Sequence, residues 1–276
     1  MPELPEVQTV VNDLIAGGLI GKTICGADVF WNKSIGNLTS GEFSETITGQ
    51  IIMTVRRRAK YIIIDFKSAV HLLIHLRMSG RLIIIPTSVE TNKHEHVILH
   101  LNDNRDLRFH DTRKFGRMIL TDKPDTILGN LGPEPLSADF TVAQFKTILK
   151  SKHRQLKPLL LDQTFIAGLG NIYVDEALWE ARLHPQKIAA TVSPKKAADL
   201  YNAIRYVLQQ GIDNQGTSLG NGQSNFTSAE NQRGNNAGNL KIFRKTGHLC
   251  PRCQTKIERI IVGQRSSHIC PKCQKA

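Results

Sequence analysis

The period of the apolar positions changes twice along the chain. Val7, Val10, Val11, Leu14 and Ile15 follow the i, i+3, i+4, i+7, i+8 spacing that lines one helix face. Gly17 and Gly18 follow at once and predict the end of that helix. From about residue 22 short β-rich runs take over: ICGADVF, IIMTV, KYIIIDF, VHLLIHL, RLIIIP, HVILHL, DLRFHD and RMILT. DFKSA, MSG and NDNRD separate some of them as turns, and many short strands at this spacing predict an antiparallel sandwich or barrel. LGNLGPEPLSADFT interrupts the pattern with two prolines and two glycines and reads as a linker. Beyond it TVAQFKTILKS, RQLKPLLLD, NIYVDEALWEARL and SPKKAADLYNAIRYVLQQG are helical in pattern. Residues 211–240 are rich in Gly, Asn, Gln and Ser with few apolar positions, and are expected to be mobile.

Charge narrows the partners. The 276 residues carry 36 Lys and Arg against 24 Asp and Glu, a formal charge of +12. That excess suggests a polyanionic partner, most commonly nucleic acid. The apolar runs are strand-sized, well short of the ~18 residues that span a bilayer. The N-terminus lacks the apolar core and cleavage site of a secretory signal. A soluble, intracellular protein with no membrane partner is expected.

Four of the five cysteines lie in the last segment as Cys250-Pro-Arg-Cys253 and Cys270-Pro-Lys-Cys273, with 16 residues between the pairs. Two such knuckles complete a tetrahedral zinc site, and four thiolates leave no open position, so one structural Zn2+ is expected. Disulfides are the alternative, disfavoured in an intracellular setting. Between the knuckles IERIIVGQRSSHI reads as a hairpin tipped by Gly263, Gln264 and Arg265, suited either to a DNA groove or to a plain solvated turn. Cys25 stands alone in a strand-like run and is expected to be a small core residue.

The opening MPELPEVQT admits two readings. Its prolines and glutamates suit a helix start. Alternatively, loss of Met1 would leave Pro2 as a terminal secondary amine beside the acid Glu3.

MPELPEV, RRRAKYIII, HLRMSGRL, DTRKFG, GLGNIYVDEALW and GQRSSHICPKCQ occur in this order, and together they resemble the formamidopyrimidine-DNA glycosylase family over nearly the whole chain. The resemblance implies an α+β fold. Its parts would be a catalytic antiparallel β-sandwich with an N-terminal helix (1–132), a helix-two-turn-helix domain with a lesion loop (133–239) and a zinc ribbon or finger (240–276). DNA would lie in the cleft between domains. It implies a bifunctional glycosylase and abasic-site lyase of base excision repair, removing oxidised purines such as 8-oxoguanine and formamidopyrimidines. The strand would be cleaved by β,δ-elimination through an iminium on the terminal proline. The implied partner is double-stranded DNA with oxidised bases or abasic sites, the implied setting a bacterial cytosol at the nucleoid, and the implied form a monomer.

Carried over residue by residue, the resemblance makes Pro2 the nucleophile, with Glu3 as proton donor, and places Lys60 and Arg265 with the catalytic set. Glu6 would mainly position the N-terminus, with proton transfer as its alternative role. His94 and Asn171 would contact phosphate, with Asn171 also capping its helix. Met78, Arg113 and Phe115 would fill the gap left by an extruded nucleotide, and their turn-like neighbours Ser79, Gly80, Lys114 and Gly116 predict exposure. Cys250, Cys253, Cys270 and Cys273 would hold zinc. His94, His96 and His100 form a weaker candidate metal cluster. The chain departs from the family after QGTSL, where Gly220, Asn221 and Gly222 replace a basic residue, which bears on base specificity. Two rival readings are an endonuclease VIII-like enzyme for oxidised pyrimidines, a group that usually has Gly at the position of Leu4, and a catalytically silent damage-binding protein.

Overall fold

Each of the eight β-rich runs forms a strand in the computed structural model, which describes residues 1–220, 226–229 and 232–275. The strands are β1 (Ile24–Val29), β2 (Ile52–Arg58), β3 (Tyr61–Phe66), β4 (His71–His75), β5 (Gly80–Pro86), β6 (Glu95–Leu101), β7 (Arg105–Asp111) and β8 (Arg117–Thr121). They pair antiparallel in two four-stranded sheets, ordered β1-β6-β7-β5 and β2-β3-β4-β8. One core takes Val97, Leu99 and Phe109 from the first sheet and Ile62, Ile64 and Ile74 from the second, as in a sandwich.

Helix α1 (Leu4–Ala16) adds Val7, Val10, Val11 and Leu14 to that core. Ile15, expected on the same face, is 42% exposed; the apolar stripe ends one residue earlier. Gly17 takes the C-cap and Gly18 has φ 72°, a left-handed conformation that suits glycine. Cys25 is exposed rather than in the core, because it falls on an outward position of β1. Helix α2 (Ser40–Ile47) was not anticipated. Thr39 and Glu42 cap it reciprocally, and Phe43 and Ile47 enter the sandwich core.

After a short α3 (Asp125–Leu128) come α4 (Val142–Lys150), α5 (Leu156–Leu161), α6 (Asn171–Glu180) and α7 (Pro194–Asp213). A hairpin of β9 (Glu258–Val262) and β10 (Arg265–Ile269) follows. The chain divides into two compact units: 1–130 with 214–235, and 131–213 with 236–276. Residues 214–235 therefore group with the sandwich rather than with the helices that precede them. Phe226 and Ala229 are the reason, since both are buried in the sandwich core. The cysteine-bearing segment groups with the helices, sharing a small core of Trp179, Ile242, Cys250, Ile257 and Cys270.

The sandwich also encloses a charge network. Arg108 is 1% exposed and donates to Glu95 at 3.0 Å, to Asp106 at 2.9 and 3.1 Å, and to the Val89 carbonyl at 2.6 Å. Arg108→Leu would take the buried cation from both carboxylates, and we expect a loss of about 3–5 kcal/mol in the urea unfolding free energy. A loss below about 1 kcal/mol would show that the network is not needed for the fold.

Candidate functional site

In the first unit, the two readings of the N-terminus divide between its prolines. Helix α1 begins at Leu4 with Pro5 in its first turn, so Pro5 serves the helix start and Pro2 lies outside it. Pro2, Glu3 and Glu6 are buried. One Glu6 oxygen, Oε2, accepts the Glu3 N–H at 2.8 Å; the other, Oε1, accepts the Thr217 N–H at 2.7 Å. A single carboxylate thus joins the N-terminal segment to residues more than 200 positions away. Met1 is 44% exposed and lines a cavity of about 390 Å³ together with Arg77, Met78, Phe115 and Arg117. The terminus and two of the three expected gap-filling residues therefore share one depression.

Lys60 is buried, not a surface lysine. It follows Ala59 in the two-residue connection between β2 and β3, and Ala59 is left-handed with φ 54°. Arg57 ties this connection to α1, donating to Gln8 Oε1 and to the Ala59 carbonyl, both at 3.0 Å. His75, which the sequence reading did not single out, stands beside Lys60. Burial, then the charges of Arg77 and Lys60, depress its pKa to about 3, so its ring is neutral near pH 7. Its Nδ1 accepts the Arg77 N–H at 3.0 Å, which leaves the proton on Nε2 as a donor.

Asp111 organises the Met78, Arg113 and Phe115 turns, and it too was missed. It is fully buried and accepts Ser79 Oγ–H at 2.5 Å, the Arg113 N–H at 3.1 Å and the Gly116 N–H at 2.7 Å. Burial alone would raise its pKa, but these donors outweigh it and hold the carboxyl below its ordinary value. Arg77 (φ 52°) and Lys114 (φ 60°) are left-handed beside the three side chains. Non-glycine residues in that region are uncommon and concentrate at functional sites. Met78 and Phe115 stay 41% and 48% exposed, and the Arg113 guanidinium lies 5.1 Å from the Phe115 ring centroid.

His94 is half-buried, its N–H held by Asn92 Oδ1 at 2.9 Å and its carbonyl by the Asp111 N–H at 2.8 Å. Its ring meets His110 edge-on at 5.5 Å. The histidine metal cluster does not form. His96 bonds the Asp111 carbonyl, His100 bridges Asp28 and Asp106, and the four cysteines are the only candidate metal group among the described residues.

In the second unit, Asn171 is the first residue of α6 and does not cap it; Gly170 holds the cap position. The Asn171 Oδ1 is buried with no hydrogen-bond partner among the described residues. The Sγ atoms of Cys250, Cys253, Cys270 and Cys273 all lie within 4.8 Å of one another. Three separations are 4.0, 3.4 and 3.5 Å, close to the ~3.8 Å edge of a tetrahedron with 2.3 Å zinc–sulfur bonds. The residues fit one structural zinc ion.

Arg265 opens β10 directly after Gly263 (φ 54°) and Gln264 (φ 62°), the paired left-handed conformations of a tight hairpin turn. A Cβ on Gly263 would stand 2.7 Å from Pro158 Cγ, so this tip sits against α5. Buried Lys157 reinforces the contact, donating to Asp175 and to the Ser266 carbonyl, both at 2.6 Å. The other Asp175 oxygen accepts the His268 N–H at 3.0 Å. Glu176 accepts three successive N–H groups, from Lys241, Ile242 and Phe243.

Comparison with known proteins matches all three zones. The family profile described as Formamidopyrimidine-DNA glycosylase N-terminal domain matches residues 1–118, and the Formamidopyrimidine-DNA glycosylase H2TH domain matches residues 131–222. A zinc finger found in FPG and IleRS matches residues 247–276. The chain is 47% identical over 275 residues to the formamidopyrimidine-DNA glycosylase of Protochlamydia amoebophila, covering 100% of each. It is 46% identical over 279 residues to that of Pelotomaculum thermopropionicum, covering 100% of this chain and 99% of the other. Among solved structures it is similar to wild-type Lactococcus lactis Fpg in complex with N7-benzyl-Fapy-dG DNA. That match has a TM-score of 0.91 at 33% identity and covers 100% of both chains. The same enzyme with abasic-site DNA matches at TM-score 0.90 and 33% identity, covering 99% and 100%.

Two outcomes follow from this geometry. Because the Asp111 carboxyl lies below its ordinary pKa in the fold, its stabilisation is present above the usual carboxylate range. It disappears as pH falls through the lowered value. Asp111→Ala should therefore cost roughly 3 kcal/mol at pH 7 and progressively less in acid, measured by denaturant unfolding across pH; an equal cost at all pH values would contradict this. Removing zinc should release the Cys250 and Cys270 core from Trp179, which a Trp31→Phe background reports by fluorescence. Unchanged Trp179 emission after chelation would contradict a structural role for the metal.

Proposed function

The chain belongs to the formamidopyrimidine-DNA glycosylase family, and on that premise we propose how its own residues carry the chemistry. It is a DNA glycosylase of base excision repair with the family's glycosylase and abasic-site lyase activities, acting on double-stranded DNA that contains oxidised purines or abasic sites. It holds one structural zinc ion.

Pro2 is the proposed nucleophile. The observation that carries this assignment is its placement outside α1, buried behind an exposed Met1 that lines the same cavity as Met78 and Phe115. With Met1 attached, the Pro2 nitrogen is an amide and cannot attack. Freed, it is a secondary α-amine with a reference pKa near 8, unprotonated in useful fraction at neutral pH. Attack on the anomeric carbon forms the nitrogen–carbon bond as the glycosidic bond to the damaged base breaks. The proton lost by the attacking amine goes to the departing base, and Glu3 supplies the proton to the ring oxygen as the sugar opens, which leaves a cationic iminium. Its charge acidifies the neighbouring sugar carbon, so loss of that proton expels the 3′ phosphate, and a second elimination expels the 5′ one.

Lys60 and Arg265 are assigned to phosphate and to assisting elimination, and His94 and Asn171 to phosphate contacts. The Asn171 oxygen, unpartnered among the described residues, supports a ligand there. The Met78, Arg113 and Phe115 turns enter the gap left by the extruded nucleotide, a role their exposure on a rigid base supports. The 214–235 loop is the proposed base reader. Its single basic residue, Arg233, donates to the Gly220 carbonyl; Asn221 and Gly222, where the chain departs from the family, lie outside the described residues. We assign labour to 1–132 for catalysis, 133–239 for DNA binding with the reading loop, and 240–276 for the zinc finger. Among the described residues no helix is long and apolar enough to cross a membrane. A cytoplasmic setting is proposed from the bacterial source of the relatives, and a monomer is proposed with it.

Borohydride reduction tests the assignment of Pro2. Protein freed of Met1 should become covalently linked to abasic-site DNA, and protein that retains Met1 should not. Efficient linkage of the Met1-bearing form would place the nucleophile elsewhere.

A further inference from the structure

We infer that Asp13 is a specificity-determining residue. From the last turn of α1 it fastens the returning limb of the 214–235 loop, and so governs base excision without entering the chemistry at the N-terminus. The inference rests on the reading of that loop as the base reader.

A carboxylate near a helix C-terminus faces the negative end of the macrodipole, an unfavourable place unless it has another task. Asp13 lies three residues before the end of α1, and no basic residue occupies that turn to offset it. Its Oδ2 accepts the Ala229 N–H at 3.0 Å, across 216 residues of sequence. Ala229 is buried, so its N–H requires a partner.

The neighbouring contacts show that this bond completes a two-footed attachment. The outgoing limb is held by Glu6 Oε1 at the Thr217 N–H. Glu6 and Asp13 are seven residues apart, about two helical turns, and so share one face of α1. Between the feet Ser218 Oγ donates to the Phe226 carbonyl at 2.7 Å and accepts the Gly234 N–H at 2.9 Å, joining the two limbs. Phe226 is buried in the sandwich core, and Arg81 donates to Thr227 Oγ1 at 3.3 Å. The Glu6 foot also holds Glu3 and cannot be altered without disturbing the N-terminus. The Asp13 foot can, because among the described residues its side chain bonds only the returning limb.

Releasing it enlarges the set of conformations open to the loop. That penalises a step in which the loop must hold a base and leaves a step with no base unaffected. The test compares single-turnover rates on matched duplexes, one with 8-oxoguanine and one with a preformed abasic site. Asp13→Ala should slow 8-oxoguanine excision about fivefold, the effect of one lost hydrogen bond, with abasic-site cleavage unchanged. Asp13→Asn keeps an accepting oxygen and should restore excision. Alanine is the better helix former, and a retained cooperative thermal transition confirms folding. Equal rates for both substrates with Asp13→Ala, or equal slowing of both, overturn the inference. So does an Asp13→Asn variant as impaired as Asp13→Ala. A deletion of residues 220–225 tests the loop separately. Selective loss of excision supports the base-reader reading, whereas equal slowing of both substrates removes that reading and the inference with it.

Discussion

A carboxylate taken out of water must have its oxygens filled by donors, or the segment that carries it does not settle there. This chain meets that requirement with backbone N–H groups from segments that otherwise have little to hold them. Glu6 gathers Glu3 and Thr217, Asp111 gathers Arg113 and Gly116, Asp175 takes His268, and Glu176 takes Lys241, Ile242 and Phe243. Each carboxylate sits on a helix or at a strand end, and each partner other than His268, which lies in β10, is a turn, a loop or the start of a distant segment. The regular elements thereby lend their rigidity to the irregular ones. The proposed nucleophile, the gap-filling turns and the Arg265 hairpin all lie within a few residues of such a bond.

That arrangement explains how large apolar side chains remain exposed without collapsing into the core. Met78 and Phe115 are presented by turns whose backbones are pinned beneath them by Asp111. The left-handed residues Ala59, Arg77, Lys114 and Gln264 stand next to Lys60, Met78, Arg113 with Phe115, and Arg265. Each conformation costs energy in isolation and persists where surrounding bonds impose it. Strain beside the candidate site and buried acceptors beneath it are two aspects of one design.

The strands were legible because alternation and turn residues speak locally, and the zinc site because cysteine spacing is itself a geometric statement. Helix α2 was missed although Thr39-Ser-Gly-Glu42 is a capping-box signature, because only Phe43 and Ile47 mark its apolar face. Ile15 fitted the helical period yet lies past the edge of the core, and Cys25 fell on the outer face of its strand. Periodicity predicts a face and cannot tell how far the neighbouring layer extends. At the candidate site, motifs brought forward the side chains that point outward. Asp175 and Glu176 escaped notice because their partners are tens of residues away, Asp111 because it joins its own motif to Ser79 on another turn, and His75 because its burial beside Lys60 shows only in the fold. The grouping of 214–235 with the sandwich was hidden for the same reason, since its two feet on α1 are visible only in three dimensions.

Amide hydrogen exchange tests the central claim most directly, because it reads the N–H groups that the carboxylates hold. The N–H groups of Thr217, Ala229, Arg113, Gly116, Ile242, Phe243 and His268 should exchange slowly, at a level near that of the core strands. Residues in other exposed turns, such as Ser68 and Ala69, should exchange far faster. If the carboxylate-bound amides of these loops exchange as readily as those of ordinary turns, the buried carboxylates do not hold the site, and the account is wrong.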